Sequence, residues 1–408
     1  MKKVVLFAVV GLLLFGQVSV FAEDFNTSDM EGTWYLFDTT VNPATLDVYW
    51  TYGEMEADAS GKILSGSYQD PLGNTFAVTD GNIMLDNKGV MSGTASVDMG
   101  PGVTATAIFP HGKIDQAKTN GAYVTLMTVD GSSDPPSMGA GFSIKGGGTF
   151  AKTDLEGDWH AYSAIIDVVA GQVFWVYGTF SVDAAGTVTA DPDSYYTPFA
   201  TATVTGGTLT LDTDGKISGI INITYENPPG TEVNSSSVLA AGKMDQSKTT
   251  GTYVAHNLNA DSLPDLLSLE TTNLVKAGGA FTSDDNVGDW YTYGLAIDPV
   301  TPAVFWSRGQ FHIDSSGNTT GSWFFPDGTV IKNTGGTMST DSKGVFTGDF
   351  TLDTGDTLTI RNGKSAEGKT QGALVSTTTS GMMFVGVNIK DTYTFPWSSF
   401  LPAIMNHE

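Results

Sequence analysis

The sequence predicts an all-β protein built from three tandem antiparallel units. One observation is a Gly-x-Trp that opens an apolar run three times, as Gly32-Thr33-Trp34, Gly157-Asp158-Trp159 and Gly288-Asp289-Trp290. Each copy is followed sixteen residues later by a second tryptophan, Trp50, Trp175 or Trp306, in a shared frame (VYWTYG, VFWVYG, VFWSRG). The other is composition: Thr, Val, Gly, Ser and aromatic residues alternate in short runs broken by Gly, Asp and Asn, the pattern of strands joined by tight turns.

Taken in order, residues 1–22 carry Lys2 and Lys3, an apolar segment from Val4 to Phe15 and small residues ending at Ala22, which predicts a secretory signal peptide cleaved before Glu23. No later stretch approaches the roughly 18 continuous apolar residues of a spanning helix, so the expectation is an extracytoplasmic protein, periplasmic or secreted, with no membrane insertion after cleavage. The repeat divides the rest into units at 23–150, 151–283 and 284–390, followed by a tail at 391–408. Gly-rich joints at 146–153 (GGGTFAKT) and 277–283 (AGGAFTS) separate the units. The tail lacks the pattern, and its Phe395, Pro396, Trp397, Phe400, Leu401 and Pro402 are expected to fold back as a cap on the third unit, since that much exposed apolar surface is a liability, with an attachment segment as the alternative.

Within the first unit the alternation predicts strands near 33–40, 47–57, 62–69, 74–79, 82–86, 90–98, 103–109, 121–128 and 138–145, hence eight to ten strands per unit. Three sets of turns repeat in step. Asp58–Gly61, Asp183–Gly186 and Asp314–Gly317 form one; Asp86–Gly89, Asp212–Gly215 and Asp341–Gly344 a second; Thr79-Asp80-Gly81, Thr205-Gly206-Gly207 and Thr334-Gly335-Gly336 a third. All three are expected to be hairpin tips, with Asp bonding its own backbone and Gly supplying the positive φ.

A Gly-x-Trp at the head of a first strand, with a basic residue closing the last, resembles the lipocalin and wider calycin family. The matching residues are Trp34 with Lys145, Trp159 with Lys276, and Trp290 with Lys390. The resemblance implies an up-and-down β-barrel per unit, in which the tryptophan closes one end and the lysine packs across its indole. A short capping lead-in also fits at Ser28–Glu31 and Thr153–Glu156, although the third copy, SDDN, lacks the Glu. This chain departs from that family in using Lys for the commoner Arg, in having no cysteine and in carrying three tandem units. A β-sandwich per unit is the alternative architecture. A closed barrel is preferred because it removes the edges along which Thr- and Val-rich strands aggregate.

Composition narrows the function. With no cysteine, thiolate catalysis, Cys-ligated zinc and disulfide stapling are excluded. Cleavage would leave 17 Lys and Arg (19 minus Lys2 and Lys3) against 44 Asp and Glu, a formal charge of −27 (17 minus 44). A field of that sign disfavours nucleic acid and anionic membrane surfaces. Residues 363–370, GKSAEGKT, satisfy a phosphate-loop pattern through Gly363, Gly368, Lys369 and Thr370. The repeats read GKIDQAKT and GKMDQSKT, and the run TQGALVSTTT from Thr370 onward reads as strand rather than helix, so the segment is expected to be a turn between late strands. The histidines 111, 160, 256, 312 and 407 share no repeat position and are expected at the surface, and no metal site is expected. Paired carboxylates such as Asp154 and Glu156, or Asp284 and Asp285, read as lead-in caps.

These readings converge on an exported, non-enzymatic repeat protein that needs no cofactor and binds a small apolar molecule or a surface glycan through its barrels or the grooves between them. Trp50, Trp175 and Trp306 are candidates to line the lumens, as core packing or as ligand contacts. The competing expectations are a structural or adhesive spacer with filled barrels, and a hydrolase assembled from scattered carboxylates.

Overall fold

In the first repeat the chain alternates lumen-facing and outward side chains along Gly32–Asn42, Asp47–Ala57, Ile63–Gln69, Thr75–Leu85, Val90–Gly100, Val103–Ile114, Asn120–Val129 and Ser137–Lys145. Each strand pairs antiparallel with the next, and the last returns to the first, closing an eight-stranded barrel. The C-terminal repeat closes in the same way from Gly288–Asp298 to Met383–Asp391. In the middle barrel, from Gly157–Asp167 to Leu266–Lys276, the third position is held by two short segments, Val188–Thr189 and Tyr195–Tyr196, both paired with Gln172–Val182; Tyr195–Tyr196 pairs onward to Thr201–Leu211 and completes the ring. This structure, a computed structural model, describes residues 25–189, 195–199, 201–226, 231–262, 265–301 and 303–392. The expected leader at 1–22, the cap role of the tail beyond residue 392, and His407 lie outside the described residues. Among the described residues no helix is long and apolar enough to cross a membrane.

Register is identical in the three closures, with Trp34 opposite Lys145, Trp159 opposite Lys276 and Trp290 opposite Lys390. The first two sets of Asp-x-x-Gly turns are hairpin tips, where the Asp carboxylate accepts from backbone amides; Asp212 Oδ1 takes the amides of Asp214 and Lys216 at 2.9 and 2.8 Å. The third set is different. Instead of a tip between two strands at 74–79 and 82–86, Thr75–Leu85 is continuous and carries a β-bulge between Val78 and Asp80, repeated between Val204 and Gly206 and between Asn333 and Gly335. The glycines are needed because the neighbouring strand is too close for a side chain. A Cβ on Gly81, Gly207 or Gly336 would sit 2.4, 2.2 or 2.0 Å from a carbonyl oxygen across the ladder.

The outward faces are not left to solvent. Trp50, Trp175 and Trp306, expected as lumen candidates, point away from their lumens, because the strand places Met55, Phe180 and Phe311 opposite the inward Trp34, Trp159 and Trp290. Trp50 packs on Val254 and Leu269 of the middle barrel and donates its Nε1 to Ala255 O at 3.0 Å. Trp175 and Trp306 enter a core shared by all three barrels, with Val124, Phe142, Val275, Val375 and Val385.

Repeat-equivalent residues meet at all three junctions. Phe37 lies in the same apolar cluster as Ala241, the Tyr162 hydroxyl donates to Asn362 Oδ1 at 2.6 Å, and the Tyr293 hydroxyl is 2.8 Å from His111 Nδ1. First barrel therefore meets middle, middle meets third, and third meets first: the repeats close into a pseudo-threefold ring rather than a string of beads. A head-to-tail contact that closes after three copies leaves no unpaired apolar wall at either end. The same rotation places the buried Lys113 5.1 Å from the Tyr291 ring and Lys243 4.4 Å from the Tyr35 ring, while Lys364 faces His160. Tyr35, His160 and Tyr291 each directly follow a Gly-x-Trp.

Candidate functional site in the middle barrel

One end of every barrel is built alike. A short 3-10 turn, Thr27–Met30, Lys152–Leu155 or Ser283–Asn286, crosses it. Beneath lies the Gly-x-Trp indole, whose Nε1 donates to the turn carbonyl of Met30, Leu155 or Asn286 at 2.9, 2.8 or 2.7 Å. Lys145, Lys276 and Lys390 place Nζ 5.6, 5.4 and 5.6 Å from those rings and donate to the carbonyls of Asp29, Asp154 and Asp285. The carboxylate that reaches back to cap the turn is that of Asp29, Asp154 and Asp285, present in all three copies, rather than the Glu that the third copy lacks. Each of these carboxylates also pairs with a lysine, Lys118, Lys248 or Lys369, at 3.0, 2.8 and 2.9 Å. Lys369, the lysine of the phosphate-loop pattern, is thus engaged in an ion pair at a left-handed turn position between two strands, φ +60°.

Away from that shared end the lumens diverge. In the C-terminal barrel Phe311, Trp323, Phe346, Phe350 and Phe384 leave a cavity of only about 30 Å³. The N-terminal lumen holds about 150 Å³ and a carboxylate on the first strand, Asp38, which accepts from the Tyr123 hydroxyl at 2.9 Å. Burial pushes the Asp38 carboxyl up to about 7, the tyrosine bond opposing it. Gly141, opposite Asp38, leaves room for the pair: a Cβ there would lie 2.2 Å from Asp38 Oδ1 and 2.7 Å from the Tyr123 hydroxyl oxygen and would displace them.

The middle lumen opens to about 620 Å³. Its lining is largely apolar, with Ile165, Phe174, Val176, Phe199, Ile223 and Tyr225. Beside Ile165 stands Glu270, 2 % exposed. Ser163 and Tyr253 donate to its Oε1, both at 3.0 Å, Thr272 adds a third donor at 2.5 Å, and Ser237 donates to Oε2 at 2.9 Å. Tyr195 OH and Asn257 Oδ1, on two further residues lining this cavity, are buried and have no hydrogen-bond partner among the described residues. Such groups cost free energy unless something satisfies them. The repeat explains the divergence. Tyr123, Tyr253 and Leu374 hold one position. The carboxylate bonded to the tyrosine comes from the first strand in the N-terminal barrel (Asp38, aligned with Ser163 and Gly294) and from the last strand in the middle barrel (Glu270, aligned with Gly139 and Phe384), so the C-terminal barrel has neither and packs hydrocarbon instead.

Sequence reasoning missed Glu270 and its hydroxyl shell. The available signal was an acidic residue on the inward register of a late strand, SLETTNL, where the other copies carry Gly and Phe. The expectation of surface histidines also needs correcting. His111 and His160 are packed at ring junctions, each lowered to about 4, first by burial and then by Arg308 and Lys364 respectively. His256 stacks edge-on against Trp50 and bonds Pro71 O at 3.0 Å, and His312 is exposed beside Asp289. A converging pair of carboxylates does exist, Asp115 and Asp245, bridged by Asn120 Nδ2 at 3.1 and 3.2 Å, but both are buried at a barrel junction rather than in a cleft. Among the described residues no group of three His, Asp or Glu side chains is arranged to hold a metal ion. A separate groove of about 630 Å³ runs between the first and middle barrels, past Tyr35, Tyr52, Tyr68 and Lys216.

No protein-family model matches the chain, and no curated protein matches it. Three solved structures are similar over most of it. A crystal structure of transferrin binding protein B from Haemophilus parasuis, a vaccine antigen, is 12 % identical with a TM-score of 0.26, covering 88 % of this chain and 76 % of that one. The intact N and C lobes of Ap-TbpB are 10 % identical with a TM-score of 0.25, covering 90 % and 77 %. A protein of unknown function from the DUF3598 family of Nostoc punctiforme is 11 % identical with a TM-score of 0.19, covering 61 % and 97 %. Likenesses this distant carry no argument about a ligand, which has to come from the chain's own geometry.

Proposed function

We propose that the chain is an exported, extracytoplasmic binding protein whose middle barrel takes up a small, largely apolar molecule. The observation that carries this reading is the difference between the three lumens, about 30, 150 and 620 Å³ on one repeated scaffold. A core has no reason to keep a large apolar space with unsatisfied polar atoms when the same fold packs itself solid next door. In this account Trp34 with Lys145, Trp159 with Lys276, and Trp290 with Lys390 close one end of each barrel, so a ligand enters the middle barrel from the opposite end. The filled C-terminal barrel serves as a structural member of the ring.

Titration with the neutral fluorophore N-phenyl-1-naphthylamine tests the reading. Saturable binding is expected, and it is lost in Val176→Trp, which fills the lumen wall. Binding that is absent, or indifferent to that substitution, contradicts it.

A further inference from the structure

The middle lumen is apolar in its walls and entirely acidic in its charged groups. Asp167, Glu226 and Glu270 line it, and among the described lining residues there is no Lys, Arg or His. The polar floor sets two acceptor groups, the Glu270 carboxylate and Asn257 Oδ1, among hydroxyls. Three hydroxyls crowd Glu270 Oε1, two of them, Ser163 and Thr272, also 2.7 Å from each other, whereas Oε2 takes only Ser237 and keeps one of its two lone-pair sites open. Asn257 donates its Nδ2 to Ser268, and among the described residues its Oδ1 and the Tyr195 hydroxyl have no hydrogen-bond partner. An incoming carboxylate, phosphate or sulfate would meet only like charge in a low-dielectric space and no cation to offset its desolvation.

Resting on the proposal that the middle barrel binds a ligand, we infer that this ligand is an amphiphilic cation: an apolar or aromatic body carrying a protonated amine directed at Glu270. An alkylammonium brings three N–H donors and the complementary charge to a site that offers a carboxylate, an unpartnered amide oxygen and no cation among the described lining residues. The aromatic side chains above, Phe174, Phe199 and Tyr225, accept the body. Asp167 and Glu226 at the same lumen add to the field that draws a cation in and turns an anion away.

Three probes sharing one naphthyl body separate the possibilities by calorimetric titration of the full chain: 1-naphthylmethylamine, 1-naphthalenemethanol and 1-naphthoate. The amine is expected to bind roughly tenfold or more tighter than the alcohol, and the carboxylate weakest of the three. In Glu270→Gln, which keeps the shape of the side chain, the amine-to-alcohol ratio is expected to fall to near one. Equal binding of amine and alcohol, preferred binding of the carboxylate, or a ratio that survives Glu270→Gln overturns the inference while leaving lumen binding standing. If none of the three binds, lumen binding itself falls, and this inference with it. Where Glu270→Gln does not fold, the ratio measured on the unsubstituted chain decides alone.

Discussion

The hydroxyl of Tyr293 and Nδ1 of His111 lie 2.8 Å apart and join the last barrel to the first. Replacing Tyr293 by Phe leaves the ring packing in place and removes that bond, stranding a half-buried imidazole nitrogen. A loss of about 1–2 kcal/mol in unfolding free energy is expected, read by chemical denaturation. A larger loss is not expected, because the hydrocarbon of Tyr293 remains in the shared core.

Acid should loosen the same junctions. His111 faces Arg308 and Lys113 with Asp86 nearby, and His160 faces Lys364 and Lys343 with Asp158 and Asp341 nearby; both are lowered to about 4, burial contributing most. A depressed folded value means that the unfolded chain binds the proton first, so the stabilisation is complete above about 6.5 and is lost as pH falls through about 4. Each histidine contributes at most about 3 kcal/mol to that slope. His160→Tyr, which installs the residue found at the two equivalent positions, should flatten the profile of melting temperature between pH 7 and 4.

Asp38 acts with the opposite sign. Its carboxyl is raised to about 7, so the folded state holds a proton that the unfolded chain gives up near pH 4. Stability attributable to this group falls as pH rises from about 4 to about 7, by up to about 4 kcal/mol. Asp38→Asn should remove that loss. The difference between the two melting profiles, rather than either alone, is the measurement, since Asp115, also raised to about 6, titrates in the same range.

Lys145→Ala removes both a cation over the Trp34 indole and a 2.7 Å bond to Asp29 O. A loss of about 1–2 kcal/mol is expected from the N-terminal barrel, measured as earlier hydrogen exchange in Gly32–Asn42 and Ser137–Lys145. Exchange unchanged in those two strands would count against a closing role for the pair.

Much of the architecture was legible because the repeat writes it three times. The antiparallel strands, apart from the one at Thr75–Leu85 that reads as two, and two of the three turn sets follow from local pattern, where a period of two and an Asp-x-x-Gly leave little freedom; the pairing of tryptophan with lysine came from the family resemblance. What stayed hidden depends on which face of a strand meets what. Trp50, Trp175 and Trp306 look the same from sequence whether they line a lumen or a junction, since both environments are apolar; only the register against the inward Trp34, Trp159 and Trp290 decides. Ring closure was hidden for the same reason, and the bulges at Gly81, Gly207 and Gly336 read as turns because a glycine is needed in either. The Glu270 floor gathers Ser163, Ser237, Tyr253 and Thr272 from four strands, which no local spacing can express.

The central claim is that one lumen of three is a binding site, and stoichiometry tests it most directly. Calorimetric titration of N-phenyl-1-naphthylamine into the full chain should saturate at one equivalent and lose that equivalent in Val176→Trp. Two or three equivalents, or one equivalent that survives Val176→Trp, would contradict the account.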